Sequence, residues 1–142
     1  PAHGLVLAPE RPLRDSATST VTLYGAGERR WELAAFDRDH GTVVSLETMP
    51  DGALLLLERR FVNLFFPIRF RLSRVELSPD GGAARVQPLG VLDNTAGWAL
   101  DNFEGVAHHV GDRYFMVSDD NRHPLQHTLL VYFALAALAT AP

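Results

Sequence analysis

Apolar and polar residues alternate with a period of two along most of this chain. Thr20-Val21-Thr22-Leu23-Tyr24 alternates and is rich in β-branched and aromatic residues, which predicts a strand. After Gly25-Ala26-Gly27 the chain returns over Arg30 to Phe36, with Trp31, Leu33 and Ala35 on one face. Thr42 to Met49 and Ala53 to Leu57 flank Pro50-Asp51-Gly52, a hairpin signal. The second of these runs is unbroken apolar, as for a strand buried on both faces. Ile68 to Leu77 interleaves apolar residues with Arg69, Arg71, Ser73 and Arg74 and reads as a half-exposed strand. Ser78-Pro79-Asp80-Gly81-Gly82 turns the chain, and Ala84 to Leu92 returns with Pro88 suited to an edge. Gly4 to Ala8 is a short apolar strand, Asp93 to Leu100 a linker, and Gln126 to Leu135 the closing strand. No stretch has helical periodicity. About ten short strands at regular spacing predict a sandwich, barrel or propeller.

The most informative stretch is Asp101 to Ala107 with Tyr114 to Asn121, joined at Gly111-Asp112. A two-residue turn there sets Val110 against Arg113, Val106 against Val117 and Glu104 against Asp119. Directly opposed residues have Cβ atoms about 4.5–5.5 Å apart, and two carboxylates that close repel unless a cation or proton intervenes. Asp101, Glu104, Asp119 and Asp120 would then gather at one end of a hairpin and suggest a cation site. The same reasoning at the middle hairpin sets Ser45 against Glu58.

Three times an apolar strand runs into an acidic residue: Glu10, Glu58 and Asp119. Their spacing approximates the ~40–50 residues of a four-stranded propeller blade, stretched by linkers. The expected fold is therefore all-β, with propeller-like blades of four antiparallel strands in an incomplete ring. Residues 1–37 would end one blade, 42–92 form a full blade, and 101–135 start the last. The acidic strand ends would point to a common central site. An open ring has unpaired edges, so remaining blades are expected from the same longer protein or from another chain.

Composition narrows the functions. Apolar residues are 46% of the 142, enough for a core. Thirteen Lys and Arg against 17 Asp and Glu give a net charge of −4, no footprint for nucleic acid. With no cysteine, thiol and disulfide chemistry is excluded. The longest apolar run, Thr128 to Ala139, falls short of the ~20 residues of a membrane span. Its first half favours a strand, while Ala134 to Ala139 also suits a short helix. The chain starts at Pro1 with no basic-then-apolar leader and reads as processed or as part of something longer.

Asp101-Asn102-Phe103-Glu104-Gly105-Val106-Ala107, Val117-Ser118-Asp119-Asp120-Asn121 and Thr128 to Phe133 resemble the phytase-like esterase family of bacterial exported proteins. Ser45 to Arg59 and Ala8 to Leu13 carry the same resemblance. It implies a β-propeller, a periplasmic or extracellular location, and Ca²⁺-dependent hydrolysis of phosphoesters or carboxylic esters.

The candidate metal ligands are Glu104, Asp119, Asp120 and Glu58. Glu104, Asp119 and His123 are the catalytic candidates; Arg59 and Asn121 are candidates for binding a small-molecule ester. Each has a plainer alternative. Glu58 and Arg59 can form an ion pair within the strand end, Asp119 and Asp120 can be turn formers, and His123 can be a solvated loop residue. His108 and His109 are successive on a strand and do not make a paired metal motif. Arg69, Arg71 and Arg74 read as a solvated strand face. A hydrolase and a non-catalytic propeller, with a structural cation at its axis and a face for a partner, are therefore both compatible with the sequence.

Overall fold

The computed structural model describes residues 4–11, 20–63, 66–124 and 126–136. The sequence also predicts a loop at Arg14 to Ser19 and a bulky apolar loop at Phe61 to Phe66; the first, Leu64 and Phe65 of the second, and the apolar tail beyond residue 136 lie outside the described residues. The described strands are β1 (Val6–Leu7), β2 (Thr20–Gly25), β3 (Arg30–Ala34), β4 (Gly41–Thr48), β5 (Leu54–Arg60), β6 (Arg69–Glu76), β7 (Gly82–Ala83), β8 (Arg85–Asp93), β9 (Phe103–Val110), β10 (Arg113–Ser118) and β11 (Leu130–Ala134). They form three sheets, ordered β1-β2-β3-β7, β4-β5-β6-β8 and β11-β10-β9, and none closes into a barrel. The fold is all-β and propeller-like. The only helical turn among the described residues is a 3₁₀ turn at Asn94–Ala96 in the expected linker, capped by the Asp93 carboxylate on the Thr95 N–H.

The sheets stack face to face through two apolar layers. Val21, Leu23, Trp31 and Leu33 of the first sheet meet Leu54, Leu56 and Val75 of the second. Leu55, Leu57, Phe70 and Leu72 on the other face of the second sheet meet Phe103, Val106, Tyr114 and Met116 of the third. Successive residues of a strand point to opposite faces, so β5 alternates between the two layers. That is why Leu54 to Leu57 carries no polar residue. The Phe70 and Phe103 rings meet edge to face with centroids 5.4 Å apart, a geometry their quadrupoles favour.

The fourth strand of the first sheet is not the one its sequence neighbours suggest. β7 comes from the turn after β6 and runs parallel to β3, pairing Trp31 with Gly82 and Glu32 with Ala83. The turn thus laps the outer edge of the neighbouring sheet, where Trp31 Nε1 donates to the Ser78 carbonyl at 2.7 Å. Gly81 allows this approach: its φ is +90°, and an added Cβ would lie 2.8 Å from the Arg30 carbonyl oxygen. Gly81→Ala is expected to cost about 1–3 kcal/mol, the usual strain of a side chain in that backbone region. Gly90→Ala, where a Cβ meets nothing within 4 Å, should cost much less. Denaturant unfolding of the two variants measures the difference.

Both hairpin registers differ from expectation. Val110 does pair with Arg113, but one shift follows at once and a second sits between Val117 and Ser118. Val106 therefore pairs with Met116, and Phe103 with Ser118. Glu104 is the extra residue of a bulge and does not face Asp119, whose N–H instead donates to the Asn102 carbonyl at 3.0 Å. In the second sheet Pro50, Asp51 and Gly52 all lie in the turn, closed by the Met49 N–H on the Ala53 carbonyl, so Ser45 pairs with Leu57; Val44 then bulges and Glu58 pairs with Val43. A bulge inserts one unpaired residue and shifts every pairing beyond it.

Candidate functional site

The inner strands of the three sheets converge on a cleft of about 310 Å³. β1, Ala8 and Glu10 form one wall, and the bulged segment Val43 to Leu46 another; Arg59 and Glu104 close it. Two bonds fix these strands relative to each other. The Val43 N–H donates to the Glu10 carbonyl at 2.9 Å, and the Val106 N–H donates to the Ser45 hydroxyl at 3.1 Å. Ser45, set against Glu58 in the sequence reading, is therefore an acceptor that ties β4 to β9.

Arg59, next to last in β5, lies on the face that meets the third sheet, and its side chain is 19% exposed. One terminal nitrogen donates to the Asn102 side-chain amide oxygen and lies 3.8 Å from the Glu104 carboxylate. Asn102 in turn donates its amide N–H to Glu104. The bulge thus projects Glu104, half exposed, beside the guanidinium. Arg59 Nε is buried with no hydrogen-bond partner. A buried donor without an acceptor is costly, and such groups concentrate where a ligand, an ion or a water completes the site.

Glu58 is placed elsewhere. It points the opposite way from Arg59, into the layer between the first and second sheets, and is 1% exposed. Arg71 grips one carboxylate oxygen through Nε at 2.9 Å and Nη2 at 2.6 Å, and the Phe36 N–H donates to the other at 2.9 Å. Burial pushes the Glu58 pKa up, against the pull of the Arg71 charge and of these hydrogen bonds. The expected Glu58–Arg59 pair is replaced by Glu58–Arg71, because adjacent residues on a strand face opposite sides. Arg71, read as solvated, is half-buried and also lies over the Phe36 ring at 4.9 Å.

The other candidates occupy the loop after β10, and none lines the cleft. The Asp119 carboxylate accepts from the Asn121 N–H at 3.0 Å and that of Asp120 from the Arg122 N–H at 2.9 Å, both local turns. Asn121 and Arg122 are left-handed, with φ of 48° and 55°. Asn121 also donates to Gln126 at 3.4 Å, and the His123 N–H to the Asp120 carbonyl at 2.7 Å. Asp101 anchors this loop by accepting from the His127 N–H at 2.7 Å. Sequence reasoning did not single out Asn102. Its spacing of two from Glu104 was the available signal, and the bulge makes the pair adjacent. Among the described residues no three His, Asp or Glu side chains gather closely enough to hold a metal ion. Calcium takes about 6–8 oxygen ligands, so the described side chains do not fit a calcium site built by this chain.

The family model described as phytase-like, esterase-like activity of phytase, matches residues 1–122. The chain belongs to the phytase-like family. The match spans β1 to β10 and so contains every residue of the cleft; His123 and β11 lie beyond it. Membership supports a hydrolase-like, phytase-related function. No curated protein and no solved structure matches the chain.

Proposed function

We propose that this phytase-like chain contributes the Arg59–Glu104 cleft to a hydrolase of small phosphoesters or carboxylic esters. The observation that carries the reading is the Arg59 guanidinium at the cleft wall, held by the Asn102 side chain beside the Glu104 carboxylate. The phosphoryl or carbonyl oxygen of an ester in the cleft would accept a hydrogen bond from this guanidinium. A donor held in place before reaction stabilises the negative charge that grows on such an oxygen. Glu104 then takes the proton of the attacking water as the water oxygen bonds to phosphorus or carbon, and returns it to the leaving oxygen as that ester bond breaks, so the alcohol departs and Glu104 is again ionised. Asn102 orients both groups through its two bonds. The described part of the cleft pairs one arginine with Glu10 and Glu104, which suits one reacting oxygen better than a polyanion.

The test is turnover of p-nitrophenyl phosphate and p-nitrophenyl acetate by the purified protein, with inorganic phosphate as competitor. Turnover of the first, inhibited competitively by phosphate, marks a phosphoesterase. Turnover of the acetate alone marks an esterase. Turnover of neither overturns the hydrolase. A second reading would then hold, in which Asn102 bridges Arg59 and Glu104 only to tie β5 to β9 in a non-catalytic propeller.

A further inference from the structure

We infer that the face of the third sheet turned away from the second is the seat of a further β-sheet, the next blade of the same ring. The two bulges bring the second and third sheets into correspondence at a constant shift of 60 positions, from Val43 to Phe103 and from Leu57 to Val117. On this correspondence Leu55 becomes Phe115 and Leu57 becomes Val117. Leu72, which pairs with Leu57, becomes Leu130, which pairs with Val117.

In the second sheet these positions form the layer against the third, and Leu55, Leu57 and Leu72 are 0%, 0% and 7% exposed. In the third sheet the same positions remain apolar but are less covered: Phe115 is half-buried and the other two are open. Val117 is 40% exposed and Leu130 70%, with Tyr132 beside them at 46%. Single exposed apolar residues are ordinary, whereas a contiguous apolar face marks an interaction surface. Here the face continues a packing series that the molecule already uses twice.

The correspondence also specifies the occupant's charge. Arg59 corresponds to Asp119 under the same shift. Arg59 reaches across to the first residues of the next sheet's inner strand, at Asn102 and Glu104. Asp119 offers an acid at that place, so the incoming sheet should bring a basic side chain at the start of its inner strand. A second copy fits poorly. The outward face of the first sheet carries Arg30 and Glu32, both exposed, and stacking it here would bury unpaired charge.

These 142 residues hold no cysteine, so an introduced one is the only thiol among them, and labelling is read against the parent polypeptide without the substitution. Val117→Cys and Leu130→Cys are compared with Val91→Cys, a 51% exposed site on the edge strand β8, by maleimide labelling of the full natural polypeptide. Burial under a further sheet should slow the first two at least about 100-fold relative to the third, because labelling then waits on local opening. The protection should not change with protein concentration, and all three should label equally in denaturant. Equal native rates would place the face in water and overturn the proposal. Protection that fades on dilution, with a sedimenting mass twice that of one chain, would identify a second copy and overturn it equally.

Discussion

Arg71→Ala should lower the folding free energy by about 3–5 kcal/mol at pH 8, and by clearly less at pH 5. Native domains are stable by only about 5–15 kcal/mol, so this is a large share. Glu58 is almost wholly buried, and Arg71 supplies both its counter-charge and two hydrogen bonds. Without Arg71 the carboxylate keeps only the Phe36 N–H. Breaking a buried pair from one side leaves a charge that the interior cannot solvate. The pH dependence follows from the direction of the Glu58 shift. Burial already raises its pKa in the folded state, and removing the opposing arginine raises it further. A group with a raised folded pKa contributes stability below its unfolded pKa, near 4.3, and loses it as pH rises through the folded value. The variant should therefore be relatively rescued by mild acid. Asp37 and Asp51 work in the other sense. Burial raises their pKa, but the N–H groups of His40 and Ala53 and the side chains of Arg60 and Arg74 outweigh it, so both are lowered. Their contribution is complete above about pH 4 and is lost only below it, so pH 5 leaves it largely intact. Urea unfolding at the two pH values tests this. An equal loss at both would mean that the cost lies in Arg71's contacts with Phe36 and the Ala34 carbonyl.

Arg59→Ala should reduce kcat/KM for the ester substrate by about 10²–10³, the usual effect of removing one donor aimed at a developing oxyanion. Glu104→Gln keeps the shape and the bond from Asn102 but cannot take a proton. It should lower kcat by about 10²-fold or more with little change in KM. Arg59→Lys should not restore activity, because an ammonium has no planar fork to bond Asn102 and a ligand together. Melting temperatures should fall only modestly in all three variants, since both groups border open water. Full activity in Arg59→Ala would remove the cleft from the reaction. A loss of activity that tracks a large fall in melting temperature would leave Arg59 as a strut between β5 and β9.

The two hairpins mark how far the site could be read in advance. Their turns, strands and buried faces follow from alternation and from Pro50-Asp51-Gly52 and Gly111-Asp112. The turn fixes pairing only as far as the first irregularity. In the third sheet that is one pair away, between Arg113 and Tyr114. A slip of one residue exchanges the two faces of a strand. Glu104 was thus assigned to Asp119, though it sits beside Arg59, and Glu58 was assigned to the cleft, though it lies in the core. Nothing in Phe103-Glu104-Gly105 or Val43-Val44-Ser45 announces a bulge, because both segments keep plausible strand residues throughout.

Local patterning by itself determined that this protein is all-β, where its strands and turns lie, and that β5 is buried on both faces. These properties depend on neighbours within a few residues, which alternation and turn chemistry encode directly. Only the tertiary structure decided that Arg71 holds Glu58, that β7 laps the first sheet, and that Arg59, Asn102 and Glu104 share one cleft. Each of those contacts joins segments distant in sequence, and its partner depends on sheet stacking and on bulges set by packing across strands.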